Sequence, residues 1–294
     1  VSIKWLVFDM DGTLLDDNNQ IESKLKDALM ECQKAGIKLI LASGRSYLRL
    51  MKYVDLLKMV ENKGFLIEVN GMAITPLETG KRQVLKRLTR DDYTRIFEFI
   101  RKLDIEIQFN TDDGIYLYLS DKVYAFKEKI RNAKHLPADY PWTGGAWDWF
   151  DDLRDGYPNG GMIQNLGCLP ETLNKMTILQ GSDEIEEIFT LFYSEFDGKY
   201  EINRTCPRII EINPKGINKG NALQKLMSDH GIKSDEVIVF GDGENDVEMF
   251  KQVKYSVAMG NSADYVKKFA FETTTDNSNN GILNIIRKYN LISE

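Results

Sequence analysis

The stretch LVFDMDGTLLDD, Leu6 to Asp17, places two aspartates one residue apart at the end of an apolar run and follows them at once with a glycine. Ile3 to Phe8 is short and almost continuously apolar, as in a strand covered on both faces. Strand side chains alternate, so Asp9 and Asp11 face one crevice once the strand ends. Ligands of open α/β sheets bind outside the carboxyl ends of the strands. Close carboxylates repel, and burial raises their pKa, unless a cation sits between them. A hard divalent cation resolves that conflict, and Mg2+ often bridges protein carboxylates to a substrate phosphate. Alone, D-x-D-G fits a solvated turn or a calcium loop equally well. An EF-hand is excluded: counted from Asp9, its sixth and twelfth positions hold Leu14 and Gln20 instead of Gly and Glu.

Outward from this stretch, strand and helix patterns alternate. Gln20 to Ala35 carries Ile21, Leu25, Ala28, Leu29 and Cys32 at helical spacing and stops at Gly36. Ile37 to Ser43 reads as a second buried strand, Ser46 to Asn62 as a helix and Phe65 to Asn70 as a third strand. Such repeats predict a Rossmann-like parallel sheet with right-handed crossovers. The pattern then changes. Short strands surround ETGK, Arg90 to Leu103 is helical, and IEIQFN and GIYLYLS alternate as half-exposed strands around TDDG. After a helix over Val123 to Asn132, His135 to Gly167 is rich in Gly, Pro, Trp and Tyr. Strand LNKMTILQ, a helix over Asp183 to Phe196, and strands YEINRT and RIIEINP follow. Parallel α/β resumes near Pro214: helix Lys219 to His230, strand EVIVFGD, helix Asn245 to Gln252, strand YSVAM and helix Asn280 to Lys288. The expected organisation is a core of residues 1–82 and 211–294 interrupted by an inserted α+β unit, 83–210. Two chain crossings near Lys81 and Pro214 would let that insert hinge as a cap.

Composition narrows the chemistry. The 294 residues are 43% hydrophobic and 28% charged, enough to bury a substantial core, and the net charge of −7 argues against a nucleic-acid or anionic-membrane binder. Three cysteines (Cys32, Cys168, Cys206) without a C-x-x-C pair fit a reducing cytoplasm, with neither disulfide framework nor zinc site. No apolar run is long enough to span a membrane and no signal peptide heads the chain, although it opens on Val1, so a few native residues are expected to be missing. The only histidines, His135 and His230, read as surface positions, which disfavours a Ser-His-Asp triad or a histidine phosphatase. A cysteine-phosphatase loop from Cys32 would need Arg where Lys38 stands, and G-x-x-x-x-G-K-[ST] is absent. Carboxylates and lysine must carry any acid–base chemistry.

Three more clusters sit at predicted strand ends. In ILASGRS, the Ser43 hydroxyl, the Gly44 N–H and the Arg45 guanidinium can donate to a phosphoryl oxygen; the competing reading is a helix N-cap with a surface arginine. In NPKGINKGNAL, Lys219 opens a helix, where dipole and lysine both favour an anion. In VIVFGDGENDVEMF, a strand ends at Asp242, and one helical turn brings Asp246 back beneath the loop toward the same point. One crevice holding a divalent cation and a phosphate accounts for all four.

FDMDGT, LASGR, NKG and GDGENDVEM, in that order, resemble the four motifs of the haloacid dehalogenase superfamily. An α+β insert between the second and third motifs is similar to the Cof-type sugar-phosphate phosphatases with a type 2 cap. The resemblance implies that Asp9 is the nucleophile, forming an aspartyl phosphate, and that Asp11 protonates the leaving oxygen and then activates water. It implies that Ser43 and Lys219 hold phosphoryl oxygens, and that Mg2+ is bound by Asp9, Asp242 and the Asp11 backbone carbonyl, with Asp246 in support. Gly44, Arg45, Asn70 and Asn245 would line the substrate side, and Lys215 competes with Lys219 for the lysine role. The implied substrate is a small phosphate ester, and the implied activity a phosphoric monoester hydrolase. A phosphomutase on the same core and a non-catalytic phosphosugar-binding regulator are the alternatives. The aromatic stretch with Tyr140, Trp142, Trp147, Trp149 and Phe150 fits a sugar-stacking pocket, a cap core or a self-association patch.

Overall fold

The computed structural model describes residues 2–137 and 157–292. The chain divides into two compact units, Val1–Leu85 with Ile217–Glu294, and Lys86–Gly216. The divisions fall after Leu85 and Gly216, not after residues 82 and 210. The reason is hydrogen bonding: Gln83–Val84 pairs with Ala73–Pro76 in the first unit's sheet, whereas Ile209–Pro214 is paired along its length within the second unit's sheet.

The first unit is built on one eight-stranded sheet. In spatial order its strands are Glu272–Thr273, Tyr255–Ala258, Val237–Gly241, Trp5–Phe8, Lys38–Ala42, Phe65–Glu68, Ala73–Pro76 and Gln83–Val84. The first six run parallel, Ala73–Pro76 runs antiparallel to them, and Gln83–Val84 in turn pairs antiparallel with Ala73–Pro76. Alternation along the strands splits the core by face. Leu6, Phe8, Leu39, Leu41, Ile238 and Phe240 join the helices Ser23–Lys34 and Gly281–Lys288 in one buried cluster. Trp5, Val7, Ile40, Ala42, Val237 and Val239 join Leu223 and Leu226 of helix Lys219–His230 in the other. The Phe8 and Phe240 rings stack across neighbouring strands with centroids 5.2 Å apart. This double coverage is why the strands read as continuous apolar runs.

Several elements are shorter than their sequence patterns predict. The helix expected over Ser46 to Asn62 is Tyr47–Leu56, and left-handed residues at Lys58 and Lys63 close the segment beyond it. The helix expected from Asn245 is a single 3-10 turn, Glu244–Asp246, followed by Val247–Phe250. The third strand stops at Glu68, because Val69, Asn70 and Gly71 all take positive φ.

The second unit carries a six-stranded sheet in the order Tyr200–Cys206, Ile209–Pro214, Lys175–Leu179, Glu106–Asn110, Gly114–Leu119 and Asn159–Met162. All neighbours are antiparallel except the last pair. Asn159–Met162, in the Gly-rich segment, was not anticipated as a strand; the aromatic stretch Tyr140 to Phe150 lies outside the described residues. One face of the sheet packs Ile107, Phe109, Met176, Ile178, Ile210 and Ile212 against helices Arg90–Ile100 and Glu184–Phe196. The other face is polar yet buried: Glu106, Gln108, Asn110, Lys175, Thr177, Glu211 and Asn213. The expectation of half-exposed alternation therefore fails for Glu106–Asn110. Its polar positions are withdrawn from water and matched, Glu106 by Lys127 of helix Asp121–Ala133 and Lys175 by Glu211. No helix among the described residues is long and apolar enough to cross a membrane.

Candidate active site

The site is assembled at the carboxyl ends of the parallel strands of the first unit. Asp9 follows Trp5–Phe8 directly, with its N–H on the Phe240 carbonyl at 3.0 Å. The next residues form a tight turn: the N–H groups of Thr13 and Leu15 donate to the Met10 carbonyl and that of Leu14 to the Asp9 carbonyl, while Leu14 and Leu15 are buried in the core. Two buried leucines thus pin the DGTLL turn. Gly12 has φ +76°, and a Cβ there would stand 2.5 Å from Asp242 Oδ2, so the turn accepts only glycine beside this carboxylate.

Lys219 is the first residue of its helix, capped by the Asn218 side chain. Its ammonium group is fully buried and donates to Asp9 Oδ1 at 2.6 Å and Asp246 Oδ1 at 2.7 Å. The competing Lys215 is exposed in the other unit. Asp246 uses its second oxygen to accept the N–H groups of Asp242 and Gly243, each at 3.0 Å. It thereby closes the 3-10 turn and holds Asp242 in place. Thr13 Oγ1 donates to Asp242 Oδ1 at 2.7 Å.

Carboxylate oxygens of Asp9, Asp242 and Asp246 lie within 4.8 Å of one another. One lysine faces three acids. Burial, then the Asp246 charge, push the Asp9 carboxyl well above its ordinary range against the opposing pull of Lys219. The same two causes push Asp242 up to about 6, opposed by the Thr13 hydroxyl. Burial works against the Lys219 charge, but Asp246 and Asp9 more than offset it and raise its pKa. An all-oxygen donor set with surplus negative charge fits a hard divalent cation and offers no nitrogen or sulfur for a softer metal.

The second and third strand ends form a linked pair of loops. Ser43 is buried, and its Oγ accepts the Arg45 N–H at 3.1 Å. The N-cap position of the helix that follows is Ser46, so Ser43 is not an N-cap residue. Gly44 lies in the same turn. The Asn70 N–H donates to the Ser43 carbonyl at 2.9 Å and the Val69 N–H to the Arg45 carbonyl at 3.1 Å. Val69 has φ +46°, a conformation that costs a β-branched residue about 1–3 kcal/mol and is met chiefly at functional sites. The buried Asn70 side chain accepts from Asn245 Nδ2 at 3.4 Å, bringing together two positions far apart in sequence.

Asp11 is placed differently from the other acids. Its side chain is 60% exposed and engaged by Arg45, whose Nε donates to Oδ2 at 3.0 Å and whose terminal nitrogen donates to Oδ1. Its carboxylate is not in the three-acid group. Thr13, Asn19 and Tyr53, which orient Asp242 and Arg45, escaped the sequence reading; only Thr13 carried a signal, its place directly after Asp11-Gly12. Burial pushes the Cys32 thiol up to about 12, so it is no nucleophile. Both histidines are exposed.

The family profile of haloacid dehalogenase-like hydrolases matches residues 6–143 and 164–286, spanning all four strand-end clusters. The chain belongs to that family. It is 28% identical to the 5-amino-6-(5-phospho-D-ribitylamino)uracil phosphatase YcsE of Bacillus subtilis, over 98% of this chain and 96% of the relative. A crystal structure of a haloacid dehalogenase-like hydrolase from Bacteroides thetaiotaomicron superposes with a TM-score of 0.75 at 25% identity, covering 98% of this chain and 99% of that one. The subclass IIB sugar phosphatase BT4131 shares the fold with a TM-score of 0.75 at 21% identity, over 98% and 100%. As a haloacid dehalogenase-type phosphatase, the protein is an enzyme, with the parallel α/β core and inserted α+β unit that the motifs implied.

Proposed function

We propose that this phosphatase is Mg2+-dependent, hydrolyses small phosphate monoesters of the sugar- or polyol-phosphate class, and works through an aspartyl phosphate on Asp9. The observation that carries the reading is the buried cluster in which one lysine is shared by Asp9 and Asp246 beside Asp242. The name of the Bacillus subtilis relative, a phosphatase of a phosphorylated ribityl chain, supports the substrate class.

In the first step the Asp9 carboxylate attacks phosphorus, the ester P–O bond breaks, and the departing oxygen takes a proton from Asp11. In the second, water attacks the aspartyl phosphate, Asp11 accepts a water proton, and inorganic phosphate leaves Asp9 free. Splitting the reaction this way replaces one hard step by two easier ones. Lys219, kept protonated by its two acids, and the Ser43 hydroxyl hold phosphoryl oxygens, while Asn70 and Asn245 fix the rim. A Mg2+ held by Asp9, Asp242, Asp246 and the Asp11 backbone carbonyl would supply positive charge for the transferring group. The odd cysteine count without a C-x-x-C pair supports a cytoplasmic enzyme, and the acidic balance supports small-molecule substrates.

The test is turnover of p-nitrophenyl phosphate and a phosphometabolite panel in EDTA and after Mg2+ is restored, for the wild type and Asp9→Asn. Activity should vanish in EDTA, return with Mg2+, and fall by several orders of magnitude in Asp9→Asn while its melting curve stays cooperative. Full turnover in chelator, or near-normal turnover of Asp9→Asn, would sink the proposal. Transfer of the phosphoryl group to a second substrate hydroxyl instead of water would select the mutase reading.

A further inference from the structure

We infer that Arg45 is a positioning residue for Asp11, acting through that carboxylate and not on the phosphoryl group, and that Asn19 and Tyr53 are the anchors that aim it. The inference rests on the assignment of Asp11 as proton donor proposed above.

The observation is that all three guanidinium nitrogens of Arg45 are engaged. Nε and one terminal nitrogen take the two oxygens of Asp11, the two-pronged arrangement in which arginine fixes the orientation as well as the position of a carboxylate. The same terminal nitrogen donates to Asn19 Oδ1 at 2.7 Å, and the other terminal nitrogen to the Tyr53 hydroxyl at 3.4 Å. Tyr53 is buried and donates its own proton to the Asn19 backbone carbonyl at 3.0 Å. Asn19 is left-handed, at φ +58°, in a loop tied back by its N–H to the Asp16 carbonyl at 3.0 Å. The Arg45 backbone is held on both sides, by Ser43 Oγ and by the Val69 N–H. The Arg45 side chain is 13% exposed and Asp11 is 60% exposed. An isolated surface ion pair between two mobile side chains contributes little. Here the guanidinium is held by Asn19 and the buried Tyr53, and the backbone behind it by Ser43 and Val69, while the acid faces outward.

The consequence is specific to the leaving group. An alkyl alkoxide needs a proton as the P–O bond breaks, whereas 2,4-dinitrophenolate leaves without one. A residue that only places the proton donor is needed for the first and dispensable for the second. A phosphate ligand is needed equally for both.

The experiment compares kcat/KM, which reports steps through the first phosphoryl transfer, for an alkyl phosphate and for 2,4-dinitrophenyl phosphate. The variants are Asp11→Ala, Arg45→Ala, Arg45→Lys, Tyr53→Phe and the double variant Asp11→Ala/Arg45→Ala, each with its melting temperature. Asp11→Ala and Arg45→Ala should each lose about 10²-fold or more on the alkyl ester and less than about threefold on the dinitrophenyl ester. Arg45→Lys, which keeps the charge but not the fork, should recover less than about tenfold. Tyr53→Phe should show a smaller loss with the same leaving-group bias and an unchanged melting temperature. In the Asp11→Ala background, Arg45→Ala should remove nothing further, because its only route to the chemistry is already gone. Equal losses on both esters in Arg45→Ala with weakened inhibition by inorganic phosphate would make Arg45 a phosphate ligand and overturn the inference. So would additive losses in the double variant. If Asp11→Ala itself shows no leaving-group bias, the assignment of Asp11 fails first, and the two failures are told apart.

Discussion

Replacing Lys219 by Met removes the single cation shared by two buried acids. Its ammonium group stands 2.6 Å from Asp9 and 2.7 Å from Asp246, and the side chains of Lys219 and Asp246 are both 0% exposed. Deleting one partner of a buried ion pair costs about 3–5 kcal/mol, because the other charge stays in the interior uncompensated. In a unit of roughly 150–250 residues each kcal/mol lowers Tm by about 2–4 °C, so Lys219→Met should melt about 6–20 °C below the wild type at pH 7 in EDTA. Two further results follow from the same electrostatics. The deficit should shrink at pH 5, where the Asp9 carboxyl takes up a proton and its stranded charge disappears; burial and Asp246 already raise the Asp9 pKa with lysine present. Adding Asp246→Asn to Lys219→Met should return part of the loss, since it deletes one of the stranded charges. The assay is a near-UV circular dichroism melt of the variants at both pH values with and without Mg2+. A loss below about 1 kcal/mol at pH 7 in EDTA, or an equal loss at pH 5 and pH 7, would refute the argument that Lys219 balances these acids.

Three other perturbations test separate parts of the structure. The Asp242 carboxyl, raised from 3.8 to about 6 in the fold, binds more protons folded than unfolded between those values; metal-free protein therefore loses about 3 kcal/mol through this group as pH rises across that window. Asp242→Asn should accordingly be more stable than the wild type in EDTA at pH 7, with the advantage gone below pH 4; no advantage at pH 7 would contradict the raised value. Gly12→Ala forces a side chain into φ +76° and a Cβ to 2.5 Å from Asp242 Oδ2. It should cost about 1–2 kcal/mol in chemical denaturation and raise the Mg2+ concentration needed for half-maximal turnover, and unchanged values of both would refute the close approach. Lys127→Met should destabilise the inserted unit by about 3–5 kcal/mol, by leaving Glu106 charged in the interior, and Glu106→Gln in the same chain should recover most of it; a single variant as stable as the wild type would mean the pair is not buried in solution.

The sequence determined the class of this protein and the strand ends at which its candidate site residues gather. Apolar runs ending in Asp9, Ser43 and Asp242 mark parallel strands covered on both faces, and acids and glycines at such ends mark the candidate site. Spacing along the chain suffices for that, because strand periodicity and turn chemistry are local properties. Tertiary structure decided which charge meets which. Lys219 reaches Asp9 across 210 residues and Asp246 across 27, and Arg45 reaches back 34 residues to Asp11. No local pattern distinguishes these pairings from a phosphate contact, because a cation goes to whichever uncompensated anion the fold buries or holds nearest to it. The same holds for the polar face of the inserted sheet. Alternation along Glu106–Asn110 identifies two faces, but whether the polar one meets water or a buried partner such as Lys127 depends on what packs over it, and packing is set by residues distant in the chain.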